Sequence, residues 1–413
     1  MKAATIRPDS KNLYAWIAVL VAIIAGAAYA WTVQTIEGLG VTGLTNVMPW
    51  GLYVQFFGFL LGMGGGAIIV SAAMDAAGMQ TFKSISRISI VVGVVAVALG
   101  SVFILGDLGR PERAIYFFIS PNWESSMVWD MIFMILFLVL AVGYGWFSMR
   151  ADLARKRSPL ALGVNDVSEK ALRRDRTMSR ILAGGTVVVG ALLANQASLT
   201  SWTLSEHEVL ETLSMRLLLA PLFLLSALTS GVAVLLLVVA ILSRFTDIKI
   251  ASNTRESLAK MLAVLVVLNL AVLVAEAAIL DFRGRVLFSV IMEGPYAPIL
   301  WSAIAIGAAV PLAMLAYPRT RRLGSTVALA SVLSLAGVFL IRYSLLLQGT
   351  LYPHIAYPLG IPIQAIPQTV WSTVGSYTPT FIEVIVSAGI LAFGALLLTF
   401  AVKILPLKRE RSA

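Results

Sequence analysis

Six residues able to carry a proton or a buried polar bond stand in or at the ends of stretches that are otherwise hydrocarbon: Asp75, Asp130, Asn269, Glu276, Arg342 and Glu383. An ionisable side chain in such surroundings is costly unless it is paired or used, so each is a candidate for proton transfer. A second set gathers hydrogen-bonding groups. Trp50 and Tyr53 lie in MPWGLYVQ, Asp107 and Arg110 in GDLGRPERAIYFF, and Asn195, Gln196 and Ser198 in NQASLTSW. Tyr, Trp and amide groups donate to a carbonyl oxygen, and a carboxylate can shuttle a proton. Together they suit a polar pocket that opens sideways to lipid or outward to a partner.

What the chain lacks narrows the chemistry. It has no Cys, so disulfides, Cys-ligated iron–sulfur clusters and thiolate metal sites within this chain are excluded. Its two His residues, His207 and His354, fall outside the apolar stretches, so no axial ligand pair stands at the depth a membrane haem needs. No set of metal ligands is expected. The glycine-rich GFLLGMGGGA, residues 58–67, lies within an apolar run and lacks a Lys-Ser/Thr ending, so it reads as close helix packing or a bend rather than a phosphate cradle.

The elements that position these groups are membrane helices. Of 413 residues, 59% are apolar and 13% charged, against roughly a quarter charged in soluble domains. Ten runs long enough to cross a bilayer as helices are predicted, at about 13–34, 50–73, 85–106, 127–149, 181–200, 216–242, 258–280, 297–316, 325–347 and 381–403. The first follows a polar segment with no evident cleavage site and reads as a retained helix. With the N-terminus cytoplasmic, 25 of the 31 Lys and Arg fall on the inner side, which predicts both termini inside. That bias accounts for the net charge of +10 without any nucleic acid.

On this topology Asp75 sits at the cytoplasmic rim, while Trp50, Tyr53, Asp107, Arg110, Asp130, Asn195, Gln196, Ser198, Glu276, Arg342 and Glu383 gather toward the outer face, with Asn269 two turns deeper than Glu276. Simpler roles stand beside the chemical ones. Arg342 and Glu276 read equally as an interhelical ion pair, Trp50 and Tyr53 as interfacial belt aromatics, Asn195 and Gln196 as interhelical hydrogen bonds, and Asp107 with Arg110 as a pair fixing a turn. The segment from Gln348 to Thr380, with five Pro and neither Lys nor Arg, is expected to fold against something.

NVMPWGLYVQFFGFLLGMGGGA, GDLGRPERAIYFFISPNWES, NQASLTSW, APLFLLSALTSGVA and SYTPTFIEVIVSAGI, in that order, resemble the NrfD-like membrane subunits. These include the polysulfide reductase membrane subunit and, closer in length and helix number, that of a respiratory nickel–iron hydrogenase. The resemblance covers nearly the whole chain, with Asp-Leu-Gly-Arg-Pro its most specific piece. It implies an all-α polytopic fold of ten helices in two four-helix bundles. Residues 50–200 would form the first and 216–347 the second, with 13–34 and 381–403 as flanking helices. It also implies a subunit without redox cofactor that binds a menaquinone-like quinone in the first bundle. Electrons would be exchanged on the extracytoplasmic face with a four-cluster iron–sulfur subunit, and a molybdopterin or nickel–iron catalytic subunit would lie beyond. The setting would be the cytoplasmic membrane of a prokaryote and anaerobic respiration, with sulfur or polysulfide reduction as the leading context.

Residue by residue, Trp50 and Tyr53 match the aromatic start of the quinone-proximal helix, and Asp107 and Arg110 the charged motif. The family often carries His where this chain has Asn195. That departure shifts the expected proton donor to Tyr53, Asp107 or Gln196. Quinone reduction consumes two electrons and two protons, so its carbonyl oxygens need donors and a proton source, and its tail needs an apolar cleft. Three alternatives remain from sequence: a hydrogenase membrane subunit, an anchor that binds no quinone, and a secondary transporter or proton channel using Arg342, Glu276 and Glu383.

Overall fold

The computed structural model describes residues 10–45, 48–76, 85–204, 213–246, 248, 250–283, 291–349 and 375–407, with side chains throughout except at 10–11, 75–76, 126, 194–204, 213–220, 280–283 and 349. These residues are overwhelmingly helical. Among the described residues ten helices are long and apolar enough to cross a membrane. They are α1 (Ser10–Glu37), α2 (Leu52–Ala76), α3 (Ser86–Asp107), α4 (Ser126–Arg155), α5 (Glu169–Leu204), α6 (Leu213–Phe245), α7 (Ser252–Arg283), α8 (the span Ala297–Ala316), α9 (Gly324–Gly349) and α10 (Phe381–Ile404).

Their packing closes two rings. The second helix packs on α3, α3 on α4, α4 on α5, and α5 returns to α2; likewise α6 meets α7, α7 meets α8, α8 meets α9, and α9 returns to α6. The rings share a broad seam where α2 lies along α6. Helices α1 and α10 pair with each other, and α10 rests on α3. In α8 the helix widens to a π-turn at Ala305–Ala309, where Gly307 meets Gly337 of α9 backbone to backbone.

The glycines of α2 explain how one helix touches so many others. A Cβ at Gly64 would stand 2.7 Å from the Gly93 carbonyl oxygen of α3, and one at Gly93 would stand 2.7 Å from the Gly64 oxygen. On another face Gly66 lies against the Ala227 backbone of α6, and Gly231 of α6 lies against Ala67. Without side chains the backbones approach closely, which is what drives helix association in lipid. Gly93→Val is therefore expected to destabilise the chain by roughly 1–3 kcal/mol through overpacking, read as a lower unfolding midpoint in detergent. An unchanged midpoint would mean that the α2–α3 crossing does not depend on this approach.

At the end of the helices opposite Asp107, buried ion pairs replace glycine contacts. Arg150 of α4 is fully buried and its Nε donates to Asp175 Oδ2 of α5 at 2.6 Å. Arg87 of α3 meets Asp152 at 2.7 Å and donates to Pro406 O, also at 2.7 Å, which straps the chain beyond α10 to the first ring.

Candidate functional site

The ends of α1, α2, α3 and α10 converge around Tyr53. Its side chain is completely buried, and its hydroxyl donates to Gln34 Oε1 of α1 at 2.7 Å. The Gln34 amide then donates from Nε2 to the Gly106 carbonyl oxygen of α3, also at 2.7 Å. The next residue, Asp107, closes α3 half-buried, and its Oδ1 is enclosed without a hydrogen-bond partner among the described residues. A buried carboxylate oxygen without a protein partner is costly unless something else meets it, which makes Asp107 a candidate for chemistry. Beneath Tyr53 runs a column of rings. Phe103 lies 6.5 Å from it, Phe56 stacks on Phe103 at 4.8 Å, and Phe339 of α9 lies 4.8 Å from Phe56. The polar tip is thus held over a packed column of aromatic rings.

Glu383 frames this end rather than standing free in it. Thr380 caps α10 through a capping box with Glu383, whose Oε2 accepts from Gly43 N at 2.8 Å and Thr380 N at 2.9 Å. Its Oε1 accepts from Tyr377 Oη at 2.5 Å. Tyr377 Oη accepts in turn from Leu52 N–H, the first residue of α2, at 2.8 Å, and Tyr377 N–H donates to Tyr296 Oη at 2.8 Å. Burial, then the bond to Glu383, pushes the Tyr377 hydroxyl well above the ordinary phenol range, so it remains a donor. The knot sets where α2 begins, and hence where Trp50 and Tyr53 stand.

The remaining candidates separate. Trp50 is half-buried just before α2. Arg110 is exposed at the start of the 3-10 turn Pro111–Ile115, and no ion pair joins it to Asp107 among the described residues, so the two do not fix the turn as a pair. Asp130 is buried near the start of α4. Asn195, Gln196 and Ser198 fall on α5, and Asp75 on α2, but their side chains lie outside the described residues, as do His207, His354, residues 350–374 and the Arg216 side chain.

The expected ion pair between Arg342 and Glu276 is not formed. The guanidinium of Arg342 is committed elsewhere: Nη1 donates to Gly58 O of α2 at 2.8 Å, Nη2 to Phe223 O at 3.0 Å and to Ser226 Oγ at 2.6 Å, and Nε to the same Ser226 Oγ at 2.9 Å. It also lies 4.8 Å from the centre of the Phe223 ring. Gly62 makes the room, because a Cβ there would meet Nη1 at 2.7 Å. Acceptors already in place on both sides satisfy this cation without a carboxylate. Glu276 is buried with neither oxygen bonded among the described residues. Water-sized cavities flank Arg342: one is lined by Leu61, Gly65 and Gly190 of the first ring, the other by Asn269, Leu222 and Val338 of the second.

Two participants escaped sequence reading. Gln34 is a lone amide in the apolar run of α1, a signal of the same kind that singled out Asn269. Tyr377 carries no such mark, since a tyrosine in a loop is ordinary.

Comparison with known proteins gives the family. The family model "Polysulphide reductase, NrfD" matches residues 40–354. A Halobacterium salinarum protein, provisionally named as a membrane subunit of dimethyl sulfoxide reductase, is 31% identical over 405 residues, covering 95% of this chain and 91% of that one. The Hdr-like menaquinol oxidoreductase integral membrane subunit of Archaeoglobus fulgidus is 25% identical, covering 98% and 96%. The menaquinone reductase integral membrane subunit of Nitratidesulfovibrio vulgaris is 25% identical, covering 95% and 91%. Ten apolar helices, the ordered motifs and a family match over most of its length make this chain an integral, multi-pass membrane protein of the NrfD family.

Proposed function

We propose that the chain is the quinone-exchanging membrane subunit of a respiratory oxidoreductase. A menaquinone-like head binds beside Tyr53 and Asp107, and electrons pass between it and an iron–sulfur subunit docked at the same end of the helices. That end is extracytoplasmic, both termini are cytoplasmic, and the two helix rings are the two four-helix bundles, with α1 and α10 flanking them. The reading rests chiefly on the chain Tyr53–Gln34–Gly106 ending beside Asp107, whose Oδ1 has no partner among the described residues. In this reading the Tyr53 hydroxyl turns from Gln34 to a quinone oxygen when the head binds, and Asp107 carries the proton, the two provisions that quinone chemistry requires of a protein. Relatives named for menaquinone and menaquinol support the same ligand, and the Lys and Arg bias supports the orientation.

The chain's own part is to seat the head, exclude water and move protons. Electrons are supplied or taken up by the partner. We assign the catalytic subunit beyond it to the molybdopterin class, in keeping with the relative named for dimethyl sulfoxide reductase. Sulfur or polysulfide is the leading substrate and a nickel–iron hydrogenase the alternative context. The host membrane is the cytoplasmic membrane of a prokaryote.

Purification of the assembled complex tests this. An iron–sulfur subunit is expected to co-purify, menaquinone to be extractable from the preparation, and quinol-dependent turnover to be blocked by quinone-site inhibitors. Isolation of the chain alone, with neither bound quinone nor competition by a quinone analogue, would overturn the proposal.

A further inference from the structure

The connection from α4 to α5 does not pass over the helix ends; it folds back along the outside of α4. Arg150, from inside, donates through Nη1 to Val164 O at 3.1 Å and Asp166 O at 2.8 Å. Trp146 Nε1 donates to Leu160 O at 3.0 Å. Trp146 precedes the last residue of α4 by nine positions, so the loop runs back along the last turns of the helix. Its inner face is pegged by Arg150 and Trp146, and its outward side chains include apolar ones among polar groups such as Asn165 and Ser168. Leu160, Leu162 and Val167 are exposed, Leu162 at 73%. Leu162 also holds a left-handed backbone at φ 52°, a conformation that costs a Leu free energy.

Cations stand before and after these side chains along the chain. Arg155, Arg157, Lys170, Arg173, Arg174, Arg176 and Arg180 are exposed on the loop and the first turns of α5. The exposed acids on this face are Asp166, whose carboxyl the Ser168 N–H and hydroxyl hold below its usual range, and Glu169, 3.6 Å from Arg173. Insertion bias accounts for the positive charge but not for a rigid loop that turns leucines outward at the level of a tryptophan.

We propose that this face docks anionic phospholipid head groups. Leu160 and Leu162 enter the edge of the acyl region, at the depth where Trp146 marks the interface, and the arginines of α5 hold the phosphates. A cation near a negatively charged leaflet adds about fivefold to binding. A soluble acidic partner would meet the charges but leave the leucines uncovered.

The test uses the complete chain, delipidated in neutral detergent and titrated with phosphatidylglycerol or phosphatidylcholine, with retained lipid read by native mass spectrometry. Phosphatidylglycerol is expected to be retained preferentially. Arg173→Gln with Arg176→Gln and Arg180→Gln is expected to weaken retention about a hundredfold. Leu160→Ser with Leu162→Ser, at exposed positions that leave the net charge untouched, is expected to weaken it too. Equal retention of the two lipids, or either folded variant binding phosphatidylglycerol as the parent does, overturns the proposal.

Discussion

Arg342→Met is expected to lower stability by roughly 3 kcal/mol, as a reduced unfolding midpoint in detergent. Hydrogen bonds to a charged group contribute about 1.5–3 kcal/mol each, and Arg342 makes four, to acceptors on two other helices. Part of that gain offsets the cost of burying the cation, which is why the net figure is nearer one strong bond than four. Met fills much of the volume, so a cavity adds little. Arg342→Lys should fare little better, since one ammonium cannot reach Gly58 O, Phe223 O and Ser226 Oγ in three directions. Gly62→Ala approaches the same contact from the far side by displacing Nη1 and should shift the midpoint in the same direction by less. Since Gly58 belongs to the ring that carries Tyr53, and Phe223 and Ser226 to the other, the loss is expected to loosen the seam between rings. Cross-linking yield between α2 and α9 is the second readout. A stable Arg342→Met with unchanged cross-linking would mean that α2 and α6 pack together without this bond.

Hydropathy made the spans legible because the bilayer imposes a length and a polarity on each. The predicted run at 297–316 coincides with α8, and that at 381–403 with α10 to within a residue. It failed where the helix and the membrane part company. The sequence places the fifth span at 181–200, yet α5 begins at Glu169, because its first turns are polar outside and held by the buried Asp175 within. Lys and Arg near a membrane surface look alike in sequence whether they are exposed, as Arg173 is, or buried, as Arg150 is. The site was half legible for the same reason. Tyr53 and Asp107 stood out by residue type. The pairing of Arg342 with hydroxyls and carbonyls did not, because backbone acceptors leave no trace in a sequence, and neither did the route through Gln34 that joins Tyr53 to the end of α3.

Tyr53→Phe and Asp107→Asn should each cut quinone-coupled turnover about a hundredfold, the lower end of what a positioned acid or base contributes. Tyr53→Phe removes the only atom by which that side chain donates, leaving Gln34 Oε1 buried and unbonded at a cost of roughly 1–3 kcal/mol. Correct assembly with the partner is therefore checked first. Asp107→Asn keeps shape and polarity while abolishing the proposed proton carrier, so its effect isolates that role. Turnover of the assembled complex with an artificial redox dye that bypasses the membrane subunit should be unchanged in both variants. The kinetic form separates binding from proton transfer: a raised KM for quinone with intact kcat assigns the residue to seating the head, and a lowered kcat assigns it to the transfer. Gln34→Leu breaks the chain between the two and should fall in the same class as Tyr53→Phe if the bonds act together. Should both Tyr53→Phe and Asp107→Asn retain quinone-coupled turnover to within about twofold, well inside the range a general acid or base commands, the membrane subunit serves as an anchor at this end, and the unbonded oxygen of Asp107 is strain without chemistry.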